Sequence, residues 1–359
     1  DSGDSVWITH NEGADQYLDS LPLFLRPDVR LLTADALCRM PADIDGPLLA
    51  TPWGLSPDVL AAFGRLRRRG APLIVPAWSD ALRTLTHRQT AALCLERVLS
   101  RLPELPRLAV PPFSTSLNEI EDYMTICQPP LLLKTPFSCS GRGLLTIENA
   151  SITDPERRWI EGALRRWGSV SIEPRLDKTA DFALEFYSDG HGSVTYAGLS
   201  VFDTHPRGAF SCALLGHPDT LRRQLPNILH GPLFDRLCTA VADTLRDVLG
   251  RVYSGFLGVD MLSYRTTEGT TAVHPFIELN LRYTMGLVAC SLSRRLVHPD
   301  AVGRLSIARC AAPGDALRAH QADVRRLPAH FADGRLRAGY LSLVPVAPAT
   351  LFRAFVEVS

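Results

Sequence analysis

Short apolar runs alternate with amphipathic stretches through the first hundred residues. Residues 6–9, 28–33, 47–51 and 71–76 are apolar runs of strand length. Between them, apolar positions recur at helical spacing, most clearly over 57–69, and a further helix is predicted over 86–101. Strand–helix alternation of this kind predicts a small, mostly parallel α/β domain over residues 1–110. The Pro-rich link Leu102-Pro103-Glu104-Leu105-Pro106 and the pair Pro111-Pro112 mark its end.

The pattern then changes. A helix is predicted over 116–127, with Ser114-Thr115-Ser116 as capping residues, and a basic helix over 155–167. Strands are predicted at 169–176, 181–187 and 193–202, and an amphipathic helix at 232–249. A hairpin follows: strand 255–264, the turn signal Thr267-Glu268-Gly269, and a return strand over 272–279. A helix around 314–325 and strands at 336–345 and 350–357 close the chain. The fold class expected is α/β (α+β), with a second domain over 111–295 and a C-terminal extension, 296–359, completing it.

Composition narrows the function. The chain has 359 residues, with 38 basic and 38 acidic side chains, so no bulk charge invites nucleic acid or an anionic membrane. There is no run of ~18 apolar residues, so no membrane span is expected. None of the eight cysteines forms a C-x-x-C pair, which favours buried thiols in a reducing, cytoplasmic setting over a disulfide or zinc framework. Cys139 stands apart because it lies in a Ser/Gly segment.

Only two of the 38 basic residues are lysines. One, Lys134, ends the apolar run Pro129-Pro130-Leu131-Leu132-Leu133-Lys134 and is followed by Thr135-Pro136-Phe137-Ser138-Cys139-Ser140-Gly141-Arg142-Gly143. A compact ammonium at a strand end, ahead of a Ser/Gly loop, fits a phosphate ligand. A hairpin centred near Gly269 would oppose Asp260 and Glu278, and strand alternation puts Glu278, Asn280 and Arg282 on one face. Opposed carboxylates repel unless a cation intervenes. Two carboxylates and an amide oxygen suit Mg2+ or Mn2+ rather than zinc. A solvated polar face would produce the same alternation, and a one-residue slip would break the pair. The glycines do not precede the lysine as in a P-loop, and no H-R-D, D-F-G or G-x-G-x-x-G segment is present.

From about residue 85 to 290 this order resembles the ATP-grasp superfamily, which implies a two-lobed nucleotide-binding domain with antiparallel sheets. The strand ending in Lys134 is similar to the family's nucleotide-binding lysine strand. Ser138, Ser140, Gly141 and Gly143 resemble its triphosphate loop, whose backbone N–H groups would face phosphate. Ile172-Glu173-Pro174-Arg175-Leu176 is similar to the adenine hinge, so Glu173 and Leu176 would border the base. Asp181 stands where the family often has a ribose ligand. Asp260, Glu278 and Asn280 match its metal ligands, and Arg282 completes E-x-N-x-R. Arg88 would replace a lysine that touches the α-phosphate, a departure from the pattern.

The resemblance implies an ATP- and Mg2+-dependent ligase joining a small-molecule carboxylate to an amine through an acylphosphate. Lys134, Arg282 and Arg207 are the candidate catalytic residues, with His205 a neighbour of interest and His274 read as structural. Two alternatives stay open: a carboxylase or kinase-like member that only transfers phosphate, and a nucleotide-binding regulatory protein with an inactive site. A homodimer is the default oligomeric expectation.

Overall fold

The computed structural model describes residues 4–8, 13–40, 46–137, 143–205 and 208–359. They form two compact units. One comprises Asp1–Ser79, Leu214–His217 and Ser291–Ser359, and the other Asp80–Ala213 and Pro218–Cys290.

In the first unit the N-terminal part is β1 (Asp4–Trp7), α1 (Ala14–Ser20), β2 (Val29–Leu32), α2 (Ala34–Cys38), β3 (Leu48–Leu49), α3 (Pro57–Arg68) and β4 (Leu73–Ile74). β1 pairs with β2, and β3 with β4, both in parallel. The Ser56 hydroxyl accepts from the Val59 N–H and Pro57 opens the first turn, a pre-organised start for α3. That helix buries Phe63 and Leu66 against Leu37, Ala50 and Ala71.

The second unit opens with α4 (Asp80–Leu85) and α5 (Arg88–Arg101). Next come β5 (Phe113–Ser114), α6 (Leu117–Ile126), β6 (Leu131–Lys134), β7 (Leu144–Ile147), α7 (Asp154–Trp167) and β8 (Val170–Pro174). The strands form one antiparallel sheet in the order β5-β8-β6-β7. α6 and α7 supply Ile120 and Ile160 to a core with Leu131, Leu133, Ile147 and Ile172. α7 is bounded locally: the Glu156 carboxylate accepts from the Thr153 N–H at 2.7 Å, and Gly168 ends the helix at φ 79°.

A second sheet of the same unit holds β9 (Asp177–Asp189), β10 (Val194–Thr204), β11 (Phe210–Leu215), β12 (Ser254–Arg265) and β13 (Thr271–Asn280). Its order is β13-β12-β9-β10-β11, and neighbouring strands run antiparallel. α8 (Pro218–Arg222) and α9 (Pro232–Leu249) precede β12, and α9 buries Leu237, Val241, Leu245 and Leu249 completely. After β13 comes α10 (Met285–Arg295).

The chain ends in the first unit with β14 (Gly303–Arg309), α11 (Asp315–Arg326), β15 (His330–Ala332), β16 (Arg335–Ser342) and β17 (Phe352–Val358). Here β14, β17, β16 and β15 pair antiparallel in that order. Among the described residues no helix is long and apolar enough to cross a membrane.

Candidate active site

The two sheets of the second unit line one cleft of about 840 Å³, within the range of small-molecule sites. Lys134 reaches it from the end of β6, where its backbone pairs with Ser171 of β8 and Leu144 of β7. Its ammonium is buried and forms an ion pair with Glu173. Leu176, just past β8, lines the same cleft. Gly143 closes the connection to β7: its carbonyl accepts the Thr135 N–H at 2.9 Å, at φ 76°, a conformation glycine adopts freely.

The facing wall is the sheet surface carrying the acids. Asp260 of β12 opposes Glu278 of β13, as the turn position predicted. The route to that register differs from the simple hairpin, however. Near the turn, Arg265 opposes Thr271 and Leu262 opposes His274, a register that would not bring Asp260 to Glu278. One residue, Met261, then separates the next paired positions on β12, while Pro275, Phe276 and Ile277 separate them on β13. Pro275 has no N–H for the ladder, which accounts for the irregularity falling there.

Asn280 donates to the Asp260 carboxylate at 3.0 Å, and Arg282 donates to the Asn280 side-chain oxygen at 2.7 Å. Burial, and then the facing Glu278, hold the Asp260 carboxyl well above the usual carboxylate range. Arg88, the first residue of α5, ties the walls together. It donates to the Thr135 carbonyl at 3.1 Å and pairs with Glu278 at 3.3 Å. Asp181 of β9 accepts from Lys178 at 2.5 Å and from the Thr204 hydroxyl at 2.9 Å.

The cleft thus gathers Arg88, Lys134, Glu173, Leu176, Asp181, Asp260 and Glu278 from the sequence-predicted set. Asn280 and Arg282 continue the same face. Ser138, Ser140, Gly141, Cys139 and Arg207 lie outside the described residues. His205 lines the cleft, whereas His274 is buried and shares a small cavity with Lys134. Burial, then the Lys134 charge, push the His274 imidazole down to about 3, so it is neutral.

Two residues escape a reading of the sequence. Lys178, the other lysine, also lines the cleft, and the scarcity of lysine is the signal that points to it. Glu185 of β9 is 1% exposed, and its carboxyl is pushed up to about 8, mainly by burial. It pairs across the sheet with Gly258, a partner that no local pattern reveals.

The donor set can be tested for a cation. Among the described residues no three His, Cys, Asp or Glu side chains converge on one point. The oxygens present are two opposed carboxylates and an amide, with Arg88 now on Glu278 and Arg282 on the amide oxygen; they are the hard set that Mg2+ accepts with its remaining positions taken by water or phosphate. The repulsion that Asp260 feels from Glu278 is what such an ion would relieve, so the residues fit.

No known family profile and no curated protein matches the sequence. Solved structures do match. The biotin carboxylase domain of Hydrogenobacter thermophilus 2-oxoglutarate carboxylase, in complex with MgADP, ADP and bicarbonate, aligns with TM-score 0.55 at 13% identity, over 99% of this chain and 81% of that one. Campylobacter jejuni biotin carboxylase in a β,γ-ATP complex gives 0.55 at 12%, over 99% and 81%. N5-carboxyaminoimidazole synthase of Aspergillus clavatus, with ADP and 5-aminoimidazole ribonucleotide, gives 0.53 at 11%, over 100% and 94%. These are ATP-grasp proteins, and the chain has the ATP-grasp fold, α+β with antiparallel sheets.

Proposed function

We propose that this protein is an ATP- and Mg2+-dependent ligase that joins a carboxylate to an amine through an acylphosphate. The observation that carries the reading is the composition of one cleft: Lys134 and Arg88 on one side, and the Asp260–Glu278 pair with Asn280 and Arg282 on the other. ATP binding alone needs no opposed carboxylates; Arg88 offsets Glu278 in the unliganded protein, but burial still disfavours the Asp260 charge unless a further cation joins the pair.

In this reading a carboxylate oxygen attacks the γ-phosphorus, the bond to the β-bridging oxygen breaks, and ADP leaves. The amine then adds to the acyl carbon, phosphate departs, and the amine proton is released. Both partners of the first step are anions, so charge neutralisation dominates the barrier. Lys134 and Arg88 neutralise the phosphates that stay on the nucleotide. Glu173 and Glu278, their present partners, are exchanged for phosphate when the nucleotide enters. Leu176 borders the base, and Asp181, held by Lys178 and Thr204, takes the ribose hydroxyls. Asp260, Glu278 and Asn280 would hold Mg2+, which supplies charge compensation for the transferring group. Arg282 offers a fork to the acylphosphate or the acid. Ser138, Ser140, Gly141 and Gly143 are assigned to the triphosphate, and Arg207 to the transferring phosphate or the acid.

The test is phosphate release from Mg-ATP against pooled acids and amines, with Glu278→Gln as control. Bicarbonate, present in the Hydrogenobacter complex, belongs in the acid pool. Substrate-dependent release that disappears in the variant supports the ligase. ATP binding without turnover favours a regulatory role, and absence of ATP binding refutes the assignment.

A further inference from the structure

Glu185 is an anomaly beside the site. Its carboxyl lies in the sheet interior, bonded to a hydroxyl rather than to a cation, and its Oε1 has no hydrogen-bond partner among the described residues. Natural interiors rarely keep such a group without a reason. Its Oε2 accepts from the Thr284 hydroxyl at 2.8 Å, and that hydroxyl accepts the Leu287 N–H at 2.9 Å. Thr284 therefore caps the first turn of α10 and hangs from Glu185.

The backbone around this link is cut to fit it. A Cβ on Gly286 would lie 2.1 Å from Glu185 Oε1, and one on Gly258 would lie 2.8 Å from Oε2. The Ser200 Cβ at 2.9 Å also crowds Gly286, and the Thr284 methyl at 2.8 Å crowds Gly258, so a side chain at either position would force its neighbours to move. Two residues before Thr284 stands Arg282, whose guanidinium bonds Asn280 and the Tyr283 carbonyl. The segment from Arg282 to Leu287 is thus fastened at one end to the metal-ligand strand and at the other to Glu185.

We propose that Glu185 is a positioning residue: through Thr284 it anchors the start of α10 and so fixes where Arg282 presents its fork. This rests on the assignment of Arg282 to the acylphosphate. Glu185 touches no substrate, and its effect travels through the Arg282–Leu287 segment.

Three variants of the full chain decide it: Glu185→Leu, Glu185→Gln and Gly286→Ala. The readouts are Mg-ADP affinity, kcat and KM for ATP, and amide exchange followed by mass spectrometry. Glu185→Leu should speed exchange across Arg282–Leu287 by about 10-fold or more, with β6 and β8 unchanged. It should lower kcat by roughly 100-fold while KM for ATP stays within about 3-fold. Glu185→Gln keeps the acceptor for Thr284 and should restore both. Gly286→Ala, a change that ordinarily favours a helix, should instead reproduce Glu185→Leu, because its methyl displaces the carboxyl.

Faster exchange across the whole sheet with lost Mg-ADP binding would reduce Glu185 to general core packing and overturn the proposal. So would unchanged exchange at Arg282–Leu287, or a silent Gly286→Ala. A wild-type protein without ATP turnover would refute the ligase reading, and the exchange pattern would still decide the anchoring separately.

Discussion

Two buried charge clusters in this chain are built on opposite rules. In the C-terminal sheet, Arg353 is 6% exposed; it donates to Asp323 of α11 and to the Tyr340 hydroxyl, and its guanidinium stacks 4.6 Å from the Phe355 ring centroid. Every charge there meets an opposite charge or a π face from its own chain. In the cleft, Asp260 faces Glu278, and Glu185 lies close enough for the Asp260 charge to raise its carboxyl further. The first cluster is nearly complete by itself, with the Arg353 Nε alone left without a hydrogen-bond partner among the described residues. The second is only partly compensated: Arg88 pairs with Glu278, but among the described residues the buried Asp260 meets only an amide and a second carboxyl, and groups perturbed in this way cluster at functional sites.

The sharpest way to break the contrast is at Arg353. Arg353→Met leaves Asp323 with Arg326 alone and should cost up to about 3 kcal/mol, read from urea unfolding, with nucleotide binding by the surviving folded fraction unchanged. A loss near zero there would mean that this pair is as loosely held as a surface bridge.

The next effect is in pH. Glu185 keeps its proton in the folded protein up to about 8, whereas an ordinary Glu releases it near 4.5. Between those values the folded state holds the extra proton, so the contribution is full below about 4.5 and is lost as pH rises towards about 8. At ~1.4 kcal/mol for each pH unit between the two, the loss is on the order of a few kcal/mol, and Glu185→Gln should flatten it. His274 acts on the other limb. Its imidazole is depressed to about 3, so its contribution is present above 6.5 and lost as pH falls towards 3. Unfolding midpoints from pH 3 to 9 read both, and a flat wild-type curve would contradict both burial arguments.

Asp260→Asn should do the reverse of an ordinary site mutation. In chelator it removes repulsion and should raise unfolding stability by about 1 kcal/mol. Mg2+ should stabilise the wild type and not the variant, by differential scanning fluorimetry with and without EDTA. The smallest effect is at Lys178, which is more exposed. Lys178→Met should weaken ATP binding by roughly 3–10-fold, measured by calorimetry, because a partly solvated cation is largely screened.

What the sequence discloses, and what it hides, divides along similar lines. Elements with local signals are legible: α3 with its Ser56 cap, α7 bounded by Thr153 and Gly168, and β12 and β13 flanking a Gly269 turn. The Asp260–Glu278 pair is legible as well, although the irregularity at Pro275 shows that it does not follow from turn geometry alone. Glu185 is not legible because its neighbours come from three other segments: Gly198 on β10, Gly258 on β12, and Thr284 and Gly286 around the start of α10. Arg353 is hidden for the same reason, since its partner Asp323 stands on a helix thirty positions earlier. Contacts of that range depend on strand order, which periodicity does not encode. β7 and β11 carry little local signal because they are short and bordered by loops rather than by clear turn residues.

The pairing of both lysines with one cleft has a practical consequence. An amine-reactive reagent has two ε-amino targets in this sequence, Lys134 and Lys178, and both line the same cavity. Labelling of two peptides therefore reports occupancy of that cavity directly, Lys178 first because its side chain is the more open. By the same logic, any molecule coupled to a sensor chip through a lysine would be held at its own mouth, and that share of the surface would report silence from a competent protein.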